Sequence, residues 1–174
     1  MGGKSENKDL PLPAVEPDLG LYVDSSALAK LYVPETESEI LDTFLRSRRD
    51  LMISELCMTE VLSAVARRRR EGALNLEQAH QIRDALISDV QSFRRLDLSP
   101  VIHREAERML LSADSVPLRT LDALHLALAL FGGAKRLVTF DDRMSGAAAL
   151  NGLLTIQFQL PLQSANEPPG ETLP

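Results

Sequence analysis

Four acidic side chains are the residues of this chain best suited to do chemistry: Asp24, Glu60, Asp122 and Asp141, the last followed directly by Asp142. Asp24 closes a short β-prone run. Asp141 and Asp142 close another. Asp122 falls in the first turn of a Leu/Ala-rich segment, and Glu60 sits inside a largely apolar helical pattern. Isolated buried carboxylates are costly, and several together repel one another. A divalent cation removes both problems. A donor set of oxygens alone, with no His or Cys cluster, favours Mg²⁺ or Mn²⁺ over zinc. Such a centre offers a route to phosphodiester hydrolysis, because the ion acidifies a water and neutralises phosphate oxygens. Each acid has an ordinary alternative. Asp24 can be a helix cap, Asp122 a complement to a helix dipole, Asp141 or Asp142 turn residues, and Glu60 a surface residue. Their joint placement at strand ends and helix starts favours a shared site.

The elements that must position these acids alternate in type. β-prone runs at Gly20–Val23, Leu51–Ser54, Arg95–Leu98, Arg136–Phe140 and Leu154–Phe158 are separated by helical patterns. The helices read as Ser25–Leu31, stopped by Pro34; Thr36–Arg48; Glu55–Arg70; Leu76–Gln91, capped by Asn75; Val101–Ser112, introduced by Ser99 and Pro100; the segment from Thr120 to Phe131; and Met144–Leu150. Short strands alternating with helices predict an α/β fold, a three-layer α/β/α sandwich around a central, mostly parallel five-stranded sheet. Sites in such sheets form at the carboxyl ends of strands, near the point where strand order reverses. The Leu121–Leu130 run has no clear polar face and reads as a central buried helix, with Thr120 as its cap and Gly132-Gly133 as its end. It is too short to span a bilayer.

Residues 1–19 and 161–174 are rich in Pro, Gly and Glu and read as disordered tails around one domain at 20–160. The N-terminal stretch has no apolar run of the secretory kind. Hydrophobic content of 44% and charged content of 25% fit a soluble globular chain, and the single cysteine, Cys57, excludes an internal disulfide and fits a reducing cytoplasm. Cys57 reads as core, with no basic partner evident. The formal charge of −6 argues against a nucleic-acid partner at first sight. The two tails carry −4 of it. If the four acids of the remaining −2 body bind metal, the rest of that body is mildly basic.

Arg67, in the run Arg67–Arg70, and Arg119, beside Asp122, are candidate phosphate contacts. Solvation at a helix C-terminus is the simpler role for the run. His125 reads as a hydrogen-bonded core histidine rather than a general base, and His80 and His103 have no assigned role. Aromatic content of 4% makes base stacking a minor contribution.

Four segments, YVDSSALAKLYVPE (Tyr22–Glu35), SELCMTEVLSAVARR (Ser54–Arg68), RTLDALHLALAL (Arg119–Leu130) and LVTFDDRMSGAA (Leu137–Ala148), resemble the PIN-domain family, and within it the VapC-type toxins of toxin–antitoxin pairs. The resemblance runs from Leu21 to Phe158. It implies an α/β/α sandwich, Mg²⁺- or Mn²⁺-dependent endoribonuclease activity, an RNA substrate, homodimerisation and a cognate antitoxin. By position, Asp24, Glu60, Asp122 and Asp141 match the family's four acids, with Asp141 preferred over Asp142. Ser25 and Thr139 match hydroxyl positions near the metal. An N-terminal tail before Leu21 departs from the family pattern. Two rival readings remain. One is a PIN-like module that binds RNA or protein without catalysis. The other is a receiver-like phosphoacceptor domain, which needs a strand-end Lys that the sequence does not supply.

Overall fold

The computed structural model describes residues 20–33, 35–112 and 117–158. The expected tails at 1–19 and 161–174, and Pro34 as a helix stop, lie outside the described residues. The chain runs β1 (Leu21–Val23), α1 (Ser25–Lys30), α2 (Ser38–Arg46), β2 (Leu51–Ser54), α3 (Glu55–Arg70), α4 (Leu76–Asp89), a 3-10 turn at Val90–Ser92, β3 (Arg94–Leu96), α5 (Pro100–Ser112), α6 (Thr120–Phe131), β4 (Arg136–Val138), α7 (Asp142–Leu150) and β5 (Leu154–Thr155). The five strands form one sheet in the order β3-β2-β1-β4-β5, and every pairing is parallel.

Parallel strands are joined by right-handed crossovers, which puts α1 to α4 on one face and α5 to α7 on the other. The packing agrees: α3 lies against α1 and α4, while α6 lies against α5 and α7. Both faces of the sheet are therefore covered. This is why β1 and β2 are buried at every position and read as continuous apolar runs. From β1 the chain steps toward β2 and β3, and after β4 it steps the other way to β5. The order thus reverses between β1 and β4, and the crevice of a doubly wound sheet opens there.

β1 and β2 pass directly into helices and β4 reaches α7 through a three-residue turn, so a residue at or just beyond the carboxyl end of each of these strands doubles as a helix cap. Asp24 accepts the Ala27 N–H at 2.8 Å, Ser54 the Cys57 N–H at 3.4 Å, and Asp141 the Arg143 and Met144 N–H groups at 2.9 and 3.1 Å. These caps fix the acids at one edge of the sheet before any ligand is considered. Elsewhere Asn75 and Gln78 form a reciprocal capping box that starts α4, as expected of Asn75.

Four strands differ from expectation, β1 only in starting at Leu21 rather than Gly20. β3 begins one residue earlier and ends two earlier. β4 stops at Val138 because Thr139 turns its hydroxyl onto Asp24 instead of continuing the ladder. β5 keeps two residues; Phe158 leaves the sheet direction to stack on Phe140 at 5.6 Å and to meet Phe44 edge-on at 5.4 Å. The start of α6 also differs. Arg119, not Thr120, occupies the cap position, and the Asp122 carboxylate accepts the Arg119 N–H at 3.0 Å. This is the reciprocal bond of a capping box, in which a side chain three residues into the helix accepts the cap residue's own N–H. The body of α6 is buried from Ala123 to Ala129, and Gly133, at φ 81°, ends it in the left-handed region that glycine adopts without strain.

Candidate active site

A cleft of about 390 Å³ opens at the carboxyl edge, beside the β1–β4 reversal. Asp24, Glu60, Asp122 and Asp141 all line it, with Ser25, Ser26, Arg119 and His125. Four elements supply the acids: Asp24 from the end of β1, Glu60 from the second turn of α3, Asp122 from the first turn of α6, and Asp141 from the turn after β4. α3 and α6 cover opposite faces of the sheet, so the cleft is where the two layers meet over its edge.

The four carboxylates differ in environment. Asp24 is 2% exposed. It accepts from Thr139 Oγ1 at 2.6 Å, from Ser26 Oγ at 2.8 and 3.0 Å, and from the Ala27 N–H. Burial pushes its pKa up; the bonds from Thr139 and Ala27, the nearby His125 and the bond from Ser26 oppose that rise without reversing it. Its charge is thus held by neutral hydrogen-bond donors, and among the described residues no cation bonds to it directly. Asp141 spends Oδ1 on the start of α7, while Arg143 lies 3.6 Å from Oδ2. Asp122 spends Oδ2 on the Arg119 N–H; its Oδ1 takes no hydrogen bond among the described residues.

Glu60 is paired. Its Oε2 lies 2.5 Å from His125 Nε2. Partial burial raises its pKa, but the His125 bond and charge, with a contribution from Ser25, outweigh burial and hold it below the usual carboxylate range. His125 is 2% exposed. Burial works against its charge, yet the contacts with Cys57 and Glu60 prevail and carry its pKa up to about 10. The hydrogen-bond pattern leads to the same state. The Tyr22 hydroxyl donates its one proton to Ser54 Oγ at 2.9 Å, so toward His125 Nδ1, also at 2.9 Å, it can only accept. Nε2 donates to the Glu60 carboxylate. Both ring nitrogens therefore carry protons, and the ring is an imidazolium.

Sequence reasoning did not anticipate this pairing. It treated His125 as core and Cys57 as lacking a basic partner, whereas Cys57 Sγ lies 3.9 Å from His125 Nδ1 while donating to the Val23 carbonyl at 3.3 Å. A signal was present: Cys57 and Glu60 are three residues apart on α3, and Asp122 and His125 three apart on α6, so each pair shares a helix face. Ser26, which bonds Asp24 and accepts the Phe140 N–H at 2.8 Å, was also missed.

The remaining sequence candidates divide. Ser25 lines the cleft beside Glu60; Thr139 lies beneath it on Asp24. Asp142 opens α7, is exposed and does not line the cleft. Arg119 is at its lip. Arg67 is not; it lines an adjoining recess with Lys30, Arg68 and Phe140, and the two hollows share Ser26. As now oriented, no three His, Cys, Asp or Glu side chains among the described residues stand close enough to hold a metal ion. The donor chemistry nonetheless suits a hard divalent cation. All four acids offer oxygens, Asp24 carries a buried charge to which no described cation bonds directly, and Asp122 keeps one oxygen uncommitted.

Residues 21–150 match the PIN domain family, and the chain belongs to it. Over 140 residues it is 37% identical to Ribonuclease VapC46 of Mycobacterium tuberculosis, a match covering 78% of this chain and 95% of that protein. Among solved structures it resembles VapC20 of Mycobacterium tuberculosis, a sarcin–ricin-loop-cleaving toxin, with a TM-score of 0.60 at 20% identity over 74% of this chain and 95% of the other. It also resembles the DNA-bound VapBC of Salmonella typhimurium, with a TM-score of 0.61 at 13% identity over 82% and 100%. At those identities the two structures speak for the fold alone.

Proposed function

We propose that this chain is an endoribonuclease, the toxin of a toxin–antitoxin pair, and that it hydrolyses RNA phosphodiester bonds in the acidic cleft. Its membership of the PIN family and its 37% identity to a named ribonuclease support this. The observation that carries it is the cleft itself, where four carboxylates from four separate elements face one space at the point of strand reversal. The same family membership speaks against the phosphoacceptor alternative.

Asp24, Glu60, Asp122 and Asp141 would hold the metal. Mg²⁺ or Mn²⁺, when bound, supplies Lewis acidity that lowers the pKa of a water and offsets charge on the phosphate. The protein's own part is placement. Thr139 and Ser26 fix Asp24 so that its carboxylate does not reorient when substrate arrives. Glu60 is kept ionised by His125 and Ser25, and so stays an anionic ligand. Arg119 at the lip is placed to meet a phosphate, and Arg67 in the adjoining recess to meet another along the strand. No side-chain nucleophile is needed. The partners that follow are RNA, a cognate antitoxin encoded elsewhere and a second copy of this chain. No helix among the described residues is long and apolar enough to cross a membrane, and the proposed location is the cytoplasm.

The test is cleavage of total RNA with and without EDTA. Cleavage that EDTA stops and added Mg²⁺ or Mn²⁺ restores is expected. Intact RNA under both conditions, with the protein folded, would leave the non-catalytic binding module as the better reading.

A further inference from the structure

A buried polar chain runs behind the cleft and ends on one of its acids. Ser54 at the end of β2 accepts from Tyr22 on β1; Tyr22 accepts from His125 on α6; His125 donates to Glu60 on α3. Ser54, Tyr22 and His125 are all buried, and none contributes a carboxylate. The Tyr22 and His125 rings lie 5.9 Å apart, tilted by 59°, so ring packing as well as the hydrogen bond sets the imidazole plane. No described buried side-chain polar atom here lacks a partner, which is the condition under which such a network specifies a single geometry.

Glu60 needs such support more than its neighbours. Asp24, Asp122 and Asp141 are each held by a backbone N–H at a helix start. Glu60 lies in mid-helix, where the backbone offers no free donor, and its side chain has an extra rotatable bond. The side-chain hydrogen bond that holds it comes from His125. We infer that His125 is a positioning residue: it fixes the Glu60 carboxylate toward the cleft and is itself fixed by Tyr22 and Ser54. This rests on the reading of Glu60 as a member of the reactive set. The arrangement follows the general pattern in which a histidine and a carboxylate beyond the metal orient the groups that touch it, with losses of 10- to 100-fold when the outer partner is removed.

The test compares His125→Gln, which can still donate to Glu60, with His125→Leu, which fills similar space and cannot. Tyr22→Phe, which removes only a hydroxyl, serves as a second probe that spares the packing. RNA cleavage kinetics and Mn²⁺ affinity by calorimetry are the readouts. We expect His125→Leu to lower kcat and weaken Mn²⁺ binding by about 10- to 100-fold with KM little changed. His125→Gln should recover most of both, and Tyr22→Phe should fall between wild type and His125→Leu. A folded His125→Leu equal to wild type, or equal losses in the Leu and Gln variants, would overturn the assignment. If His125→Leu does not fold, a Tyr22→Phe variant with wild-type kcat and Mn²⁺ affinity would overturn it instead. Proton–nitrogen NMR of the imidazole separates failure here from failure of the proposed function. The Nε2 proton should appear as a protected, hydrogen-bonded signal in wild type and vanish in Glu60→Leu, which has no acceptor, whether or not the protein cleaves RNA.

Discussion

Asp24→Asn should stabilise the metal-free protein while removing its activity. The carboxylate is 2% exposed and accepts from two hydroxyls and one backbone N–H, with His125 as a more distant cation. An amide keeps one oxygen for the Ala27 N–H, so the cap on α1 survives. Its NH₂ group faces Thr139 and Ser26, whose hydroxyls can rotate to accept. Weakening two charge-assisted bonds to neutral strength costs about 1 kcal/mol each. Ending the burial of an unpaired charge returns several kcal/mol. The sign follows from the raised pKa of Asp24: folding favours the uncharged side chain. A net gain on the order of 1 kcal/mol corresponds to a Tm about 2–4 °C higher for a domain of this size. Metal should reverse the order. At 100 times its dissociation constant a ligand adds about 2.7 kcal/mol to the wild type, and the Asn variant, lacking a ligand oxygen and a charge, gains little. Thermal unfolding in EDTA and in excess Mg²⁺ or Mn²⁺ measures both arms. The Asn variant should melt above wild type in EDTA and below it with metal. An Asn variant that melts lower in EDTA, or a wild type whose Tm ignores the metal, would refute the reasoning.

Other perturbations bear on separate parts of the structure. Asp122→Asn should abolish RNA cleavage yet shift Tm by less than about 2 °C, because its side chain can still accept the Arg119 N–H; activity assay and thermal scan check both. Gly133→Ala should cost about 1 kcal/mol, read by urea denaturation, since φ is 81° and the added methyl meets no atom within 4 Å, leaving conformation as the sole penalty. His125 titrates at a folded value of about 10 against 6.5 ordinarily. Its charge therefore contributes stability that is fully present below about pH 6.5 and lost as pH rises toward 10. Tm measured from pH 6 to pH 10 should fall more steeply in wild type than in His125→Gln; parallel curves would count against a protonated ring.

The sheet and its covering helices were legible because strand and helix periods alternate cleanly and both faces of the sheet are covered, so β1 and β2 read as unbroken apolar runs. α3 was read to the residue, from Glu55 to Arg70; that Ser54, read as the end of a strand, also caps it was not. Strand ends were less legible. Where β4 stops is decided by Thr139 bonding Asp24, which stands 115 residues earlier, and no local propensity carries that. The acids were visible as types at strand ends and helix starts, but their hydrogen bonds were not. The sequence points to Thr120 as the cap of α6 and to Asp122 as a complement to its dipole; the backbone geometry instead puts Arg119 at the cap position and its N–H on Asp122. The His125–Glu60 pair joins helices on opposite faces of the sheet, so it could be inferred only by combining two helix phases with the topology. Arg67 and Asp142 illustrate the converse: sequence proximity to the acids brought neither into the cleft.

The central claim is that four acids distant in sequence converge on one divalent cation. Diffraction from crystals soaked in Mn²⁺, recorded for its anomalous signal, tests it most directly. The account predicts an anomalous peak in the cleft, within bonding distance of carboxylate oxygens from Asp24 and at least one of Glu60, Asp122 and Asp141, and no such peak in Asp24→Asn crystals. A wild-type cleft without the peak at saturating Mn²⁺, or a peak bound only by residues outside the cleft, would contradict it.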